Sequence, residues 1–411
     1  MPSSSIRQLR LSKYKLSTLL DITNKIKENA PIGQLIHKFK DILINDLNIG
    51  KVSIYRFNGQ FWRSILDEGV PKKHLSDFDF ESLFKLKEKI IHISEKKHPK
   101  LKEYDFILPV FHKNTALAYV FIGDLDDNRR GISPSIKHIN FIQTLANIIF
   151  VAIENKRLFK ELIKQESVRK EMQLAEQMQR MLIPDVEKLP DNKSLTISAF
   201  YKPHFSVGGD YFDYFELSKN KYAFCLADVS GKGISAAILM ANFQANLRAL
   251  INNENISLKE LVNKLNTRIV EITNNDRFVT FFIGIYDSTN RKLQYVNCGH
   301  IPPILYQSDT KKISWLKKGT IGIGMLKTIP KINEGCITLK EKSRIICVTD
   351  GVTETENADK NEFGTWSIEK ELQKNHNIKE TVSDIYDTLV EYNNKSESFA
   401  DDVTILGIDI H

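Results

Sequence analysis

Tyr222-Ala223-Phe224-Cys225-Leu226-Ala227-Asp228-Val229-Ser230-Gly231-Lys232-Gly233-Ile234-Ser235-Ala236-Ala237-Ile238-Leu239-Met240 is the stretch on which the reading of this 411-residue chain turns. Residues 222–228 form an unbroken apolar run closed by a single carboxylate, which reads as a buried strand. Two glycines then punctuate the chain, and an alanine-rich segment over 234–251 carries its apolar residues at helical spacing. Outward from this junction, strand-like runs occupy 195–202, 278–287, 292–298, 303–307, 335–339, 343–349 and 403–410. Further helices read at 258–273, 367–373 and 379–392. Many antiparallel strands with paired helices predict a β-sandwich flanked by helices over 185–411.

Three more acidic motifs stand at predicted strand ends or turns: Val207-Gly208-Gly209-Asp210-Tyr211-Phe212-Asp213, Val348-Thr349-Asp350-Gly351-Val352-Thr353-Glu354 and Ala400-Asp401-Asp402-Val403-Thr404. One aspartate beside glycine after a strand is an ordinary turn. Four such motifs at the ends of strands in one sandwich can converge on a single edge. Carboxylates gathered in a low-dielectric cleft repel, and cations must neutralise them if they are to stay ionised. An all-oxygen donor set selects hard ions such as Mg²⁺ or Mn²⁺ and disfavours zinc.

Composition narrows the function classes. Hydrophobic residues make up 42% and charged residues 27%, which is globular composition, and the length predicts two domains. The net charge of +7 is dispersed without a basic stripe interleaved with aromatics, which excludes a nucleic-acid protein. Four cysteines, Cys225, Cys298, Cys336 and Cys347, suit neither a disulfide framework nor zinc. Residue six after each is Gly231, Ile304, Lys342 or Thr353, never the arginine that a cysteine-phosphatase loop requires. The polar, basic first eleven residues lack a signal-peptide core, and the apolar stretch 106–123 is interrupted by His112 and Lys113, so the expectation is a cytoplasmic chain with no membrane span.

The first 150 residues read as a separate α+β domain: helical spacing over 16–47, short strands at 52–56, 61–66, 107–111 and 116–122, then a helix from about Ser133. Residues 151–184 contain neither glycine nor proline before Pro184. At heptad spacing they read Val151, Glu154, Leu158, Glu161, Gln165, Val168, Met172, Ala175, Gln179, Leu182, six of the ten apolar. That is an imperfect coiled-coil seam for a homodimer, or else one amphipathic helix lying on a neighbour. Pro184 ends it.

In order, Asp-Val-Ser-Gly-Lys-Gly, Asn-Cys-Gly-His-Ile-Pro-Pro, Thr-Asp-Gly-Val-Thr-Glu and Asp-Asp-Val-Thr resemble the SpoIIE branch of the PPM family of metal-dependent serine/threonine phosphatases, over roughly residue 175 to the C-terminus. The resemblance implies an αββα sandwich holding two divalent cations, Mn²⁺ or Mg²⁺. Asp228 would bridge them, Asp210 and the Val229 carbonyl would serve one, and Asp350 and Asp401 the other. Asp401 is favoured over Asp402 by the family pattern. Asp213 would orient metal-bound water; His300 and Gly231 carry no settled role, and His300 reads first as a loop-fixing residue. No counterpart of the family's phosphate-clamping arginine stands out. The implied reaction is hydrolysis of phosphoserine or phosphothreonine on a signalling protein, with a phosphorylated anti-sigma-factor antagonist as partner. The alternative is a degenerate scaffold, although every ligand position holds Asp. The N-terminal domain resembles a GAF domain that would regulate the output; its ligand is unknown, and no cysteine before Cys225 exists to attach a bilin.

Overall fold

The computed structural model describes residues 2–411 apart from 74, 76–77, 85–89, 94–98, 114, 124–133, 253–255, 341 and 375. The chain divides into two compact units, Met1–Glu166 and Ser167–His411.

In the first unit, the helical periodicity over 16–47 resolves into α1 (Pro2–Lys27), α2 (Ile32–Asp41) and a single wide turn at Ile42–Asp46. The break falls where Asn29 takes a left-handed conformation (φ 59°) and Pro31 leads into α2. β1 (Lys51–Phe57), β2 (Trp62–Glu68), α3 (Phe80–Phe84), β3 (Ile91–His92), β4 (Phe106–His112) and β5 (Thr115–Gly123) follow. The strands form an antiparallel sheet in the order β2-β1-β5-β4-β3. One apolar cluster joins Ile54, Leu108 and Val120 to Phe39 and to Phe141, Leu145 and Ile149 of the next helix. A second, aromatic cluster joins Tyr55, Phe80, Tyr119 and Phe121.

That next helix, α4 (Pro134–Arg180), is continuous over 47 residues, as expected where no glycine or proline interrupts it. Ser133, the predicted start, lies outside the described residues. The helix ends before Pro184, with Met181 and Leu182 already in a turn bonded back to Met178 and Gln179. One sequence expectation needs correction: α4 from Ile136 and α5 (Ile234–Ile251) are each long and apolar enough, by length and composition, to cross a membrane. Polar residues recur between their apolar faces, so neither shows as an uninterrupted apolar run in the sequence. Both contribute buried side chains to their units, Phe141, Ile142 and Leu145 from α4 and Leu239, Met240 and Phe243 from α5.

The second unit continues with β6 (Leu195–Lys202), β7 (Tyr211–Ser218), β8 (Lys221–Val229), α5, α6 (Leu258–Thr273), β9 (Val279–Asp287), β10 (Lys292–Cys298), β11 (Ile304–Gln307), β12 (Lys312–Trp315), β13 (Gly319–Thr320), β14 (Gly335–Thr338), β15 (Ser343–Val348), α7 (Asp350–Thr353), α8 (Trp366–Leu372), α9 (Ile378–Tyr392) and β16 (Val403–Ile410). One sheet runs β13-β10-β9-β8-β7 with β14 beside β10, and the other β12-β11-β15-β16-β6. Their facing side chains, including Phe224, Leu226, Phe282, Ile345, Cys347 and Leu406, share one core with α5 and α6. Ile346, Val348 and Ile405 turn the other way, onto α8 and α9. The result is two sheets between two helical layers. β7, β12 and β13 were not anticipated from the sequence.

This topology places acids at corresponding strand ends of both sheets. Asp210 stands immediately before β7, whose Tyr211 pairs with Ala227; Asp228 lies near the end of β8. In the opposite sheet Asp350 follows β15 and Asp401 precedes β16, with Val348 paired to Ile405.

Candidate functional site

The loop carrying Asp210 is held from three directions. The Asp402 carboxylate accepts the backbone N–H of Gly209 at 2.5 Å, of Asp210 at 3.4 Å and of His204 at 2.7 Å. A side chain at Gly208 would press to 2.4 Å from that carboxylate, so only glycine permits the approach. The Thr349 hydroxyl donates to Asp210 at 2.8 Å and accepts the Thr404 N–H at 3.0 Å, while the Thr404 hydroxyl donates to the same Asp210 oxygen. From the end of α4, buried Gln179 donates to the Gly208 carbonyl at 2.6 Å and accepts the Gly208 N–H at 3.0 Å.

Around this loop the acids interact as a group. Burial pushes the Asp210 carboxyl well above the usual range, and the charges of Asp228 and Asp402 add to the shift. Asp228 rises to about 7, first through burial, then through Asp350, Asp401 and Asp402; a hydrogen bond with Asp210 works the other way. Asp350 rises through burial and through Asp401 and Glu354. Asp402 rises through burial, opposed by its three backbone donors. Like charges brought together produce this pattern. Among the described residues no three His, Cys, Asp or Glu side chains are gathered closely enough to enclose a cation. The carboxylates instead engage protein donors, Asp210 the two threonines, Asp402 the backbone and Asp401 the Lys232 ammonium. The donor chemistry nevertheless fits hard divalent ions, with oxygen ligands alone and a surplus of negative charge.

The structure therefore brings Asp210, Asp228, Asp350, Asp401 and Asp402 to one place, and the Val229 carbonyl lies against Gly209, where a Cβ would meet it at 2.9 Å. Asp402 caps the Asp210 loop, whereas the Asp401 carboxylate is part-exposed and faces Lys232 at 2.8 Å. Asp213 stands apart. Its fully buried carboxylate accepts two bonds from Arg248, at 2.8 and 3.0 Å, and one from the Tyr211 hydroxyl, so it ties β7 to α5. Asp213→Ala is expected to lower stability by about 2 kcal/mol, less than a fully buried pair would lose because the Arg248 side chain is half exposed. Thermal melts should show that loss with Mn²⁺ half-saturation unmoved; weakened Mn²⁺ binding at unchanged stability would place Asp213 at the metals after all.

His300 is buried and neutral, its pKa pushed down to about 4 by burial. Its ring bonds the Thr280 hydroxyl at 2.9 Å, and Asn297 brackets its backbone at 2.8 and 3.0 Å. This is a loop-fixing arrangement, not that of an acid facing substrate. Gly231 adopts φ 97°, and the Arg277 guanidinium, donating to the Ser230 carbonyl at 2.8 Å, sits where its Cβ would be. Three residues that order the site were missed or misassigned: Gln179, given to the helix–helix seam, and Thr349 and Thr404, unremarked hydroxyls beside the acidic motifs. The glutamine directly preceding Arg180-Met181-Leu182 was visible, but its partner lies 29 residues away.

Comparison with known proteins bears on this geometry. Residues 218–411 match the family described as Stage II sporulation protein E (SpoIIE). Protein IcfG of Synechocystis sp. is 28% identical over 289 residues, 64% of this chain and 45% of that protein. Phosphoserine phosphatase RsbU of Bacillus subtilis is 28% identical over 234 residues, 55% of this chain and 66% of that protein. The chain thus spans about half to two thirds of the length of these relatives. In three dimensions the SiaA-PP2C domain of Pseudomonas aeruginosa aligns with a TM-score of 0.53 at 19% identity, covering 60% of this chain and 99% of that domain, which shows a PP2C-like fold. The motifs, the two-sheet frame and the matched residues agree: the C-terminal half of this chain is a phosphatase domain of the SpoIIE/RsbU-type PPM family.

Proposed function

We propose that this chain is a metal-dependent protein serine/threonine phosphatase acting on a phosphorylated signalling protein. The observation that carries the reading is the cluster of Asp210, Asp228, Asp350, Asp401 and Asp402, whose members raise one another's pKa at one end of the two sheets. Asp228 would bridge two Mn²⁺ or Mg²⁺ ions, Asp210 and the Val229 carbonyl serving one and Asp350 and Asp401 the other. When bound, such ions supply positive charge for the phosphoryl oxygens and acidify a water at neutral pH. The chain's own part is positional. Thr349 and Thr404 fix the Asp210 carboxylate, Asp402 fixes its backbone, and the buried setting keeps water from screening the charges.

The PPM-family phosphatases to which the domain belongs use metal, and a phosphorylated anti-sigma-factor antagonist is the proposed substrate. The N-terminal unit, an antiparallel sheet with helices, acts in this reading as a GAF-like regulator with an unidentified ligand. The apolar side chains that α4 exposes, among them Leu158, Leu162, Leu174 and Met178, support a homodimer through this helix in the cytoplasm. The experiment is phosphate release from a phosphoserine protein with Mn²⁺, with and without a chelator. Activity that survives complete chelation refutes the metal mechanism. No release from any phosphoserine or phosphothreonine protein favours the scaffold alternative instead.

A pH dependence follows. Asp210 and Asp228 have folded-state pKa values raised above those of an unfolded chain, so without metal the fold favours their protonated forms. The Asp228 contribution is complete near pH 4 and is lost as pH rises through about 7. In chelator the melting temperature should fall between pH 5 and 8. Saturating Mn²⁺ should flatten the trend, because cation and proton compete for the same oxygens. A chelated protein whose stability rises over that range contradicts the cluster.

A further inference from the structure

Among the described residues, one lysine or arginine is ion-paired to a member of the acidic cluster: Lys232, whose ammonium lies 2.8 Å from Asp401 Oδ2 and 2.8 Å from the Ala400 carbonyl oxygen. Its side chain is 46% exposed, so the ammonium can reach solvent-borne ligands without rearranging the core. Asp401, Asp350 and Asp402 all raise its pKa, Asp401 most, which places its charge within reach of these three carboxylates. Its backbone is not free to withdraw. Gly231 and Gly233 flank it in left-handed conformations, φ 97° and 71°, and the Arg277 guanidinium locks the Ser230 carbonyl on one side. Ser230 also donates its backbone N–H to the Phe278 carbonyl and accepts the Phe278 N–H on its hydroxyl.

A lysine so placed has a use beyond pairing with Asp401. An ammonium has three donors, and two are engaged here. When Asp401 is drawn to a cation, its negative charge is neutralised there and the hold on the lysine weakens. A phosphate monoester dianion approaching five carboxylates needs a compensating cation at the rim, and an ammonium on a flexible stem is a competent phosphate binder. Beside it, a Cβ at Gly233 would meet the Phe205 ring at 3.8 Å, and Phe205, Ile234 and Ile238 are exposed apolar side chains that could flank a bound polypeptide.

We propose that Lys232 is the phosphate-binding residue of this site, holding a phosphoryl oxygen of the phosphoserine or phosphothreonine protein in the role for which no family arginine was found. This inference rests on the phosphatase reading of the same site. The test compares wild type, Lys232→Met and Lys232→Arg in Mn²⁺ with p-nitrophenyl phosphate as substrate and inorganic phosphate as inhibitor, and measures phosphate binding by calorimetry. Loss of one charge-assisted bond should raise KM and the phosphate inhibition constant about 10- to 100-fold in Lys232→Met. Half-saturation by Mn²⁺ should stay the same or tighten, since Asp401 loses a competitor, and Lys232→Arg should recover most of the phosphate binding. Unchanged KM and phosphate affinity in Lys232→Met overturn the proposal, leaving the lysine a counter-charge for Asp401. If wild type binds phosphate but turns nothing over, the catalytic reading fails, and the calorimetric comparison of the variants still decides the role of Lys232.

Discussion

Asp228→Asn abolishes phosphate release, with a loss of about a thousandfold or more in kcat/KM, yet makes the metal-free protein more stable. The first half follows from removing the carboxylate proposed to bridge both cations; neutral Asn would leave each ion short of a ligand and of one negative charge. The second half follows from the buried setting. Asp228 is raised to about 7 by desolvation and by Asp350, Asp401 and Asp402, so at pH 8 its ionised form opposes folding. An amide of the same shape removes that opposition. Melts in chelator at pH 8 should therefore show Asp228→Asn above wild type. Adding Mn²⁺ should raise wild type and leave the variant nearly unmoved. Activity within tenfold of wild type would remove Asp228 from the chemistry. A variant less stable in chelator would show that its carboxylate is held by protein donors and not strained by neighbouring charge.

Much of this frame was legible in the residues. The strands at 195–202, 292–298 and 403–410 and the helices at 234–251 and 258–273 have the bounds that their periodicity indicated, because each pairs a strong pattern with clear punctuation. β7 was hidden because Tyr211–Ser218 breaks alternation: Asp213 occupies a buried position and is tolerable there through the Tyr211 hydroxyl and through Arg248, 35 residues away. β12 and β13 are too short and too lysine-flanked to carry a signal. The aspartates announced themselves by type and order, but not their division of labour. Which of Asp401 and Asp402 caps the Asp210 loop depends on backbone N–H groups nearly two hundred positions earlier, and no local pattern records that. Asp213 resembled its neighbours in sequence and differs from them in environment.

Gln179→Leu should cost about a hundredfold in kcat/KM, most of it as weaker Mn²⁺ binding. The glutamine amide satisfies both polar groups of Gly208, and leucine of similar size would leave a buried N–H and a buried carbonyl unpaired. Each orphaned group costs about 1–3 kcal/mol, enough to shift the Gly208–Asp210 loop away from the position in which Asp402, Thr349 and Thr404 hold the carboxylate. Because the defect is in site assembly, raising Mn²⁺ should recover much of the rate, whereas it should not rescue Asp228→Asn. An unchanged Mn²⁺ half-saturation would reduce Gln179 to a packing residue. The position of this contact gives it regulatory weight in the proposed function. Gln179 is the next-to-last residue of a helix that begins at Pro134, so a turn or shift of its final segment would move the amide relative to Gly208. A ligand acting on the N-terminal unit can alter activity through this helix only as far as it favours the helix position that keeps the amide bonded over the one that releases it.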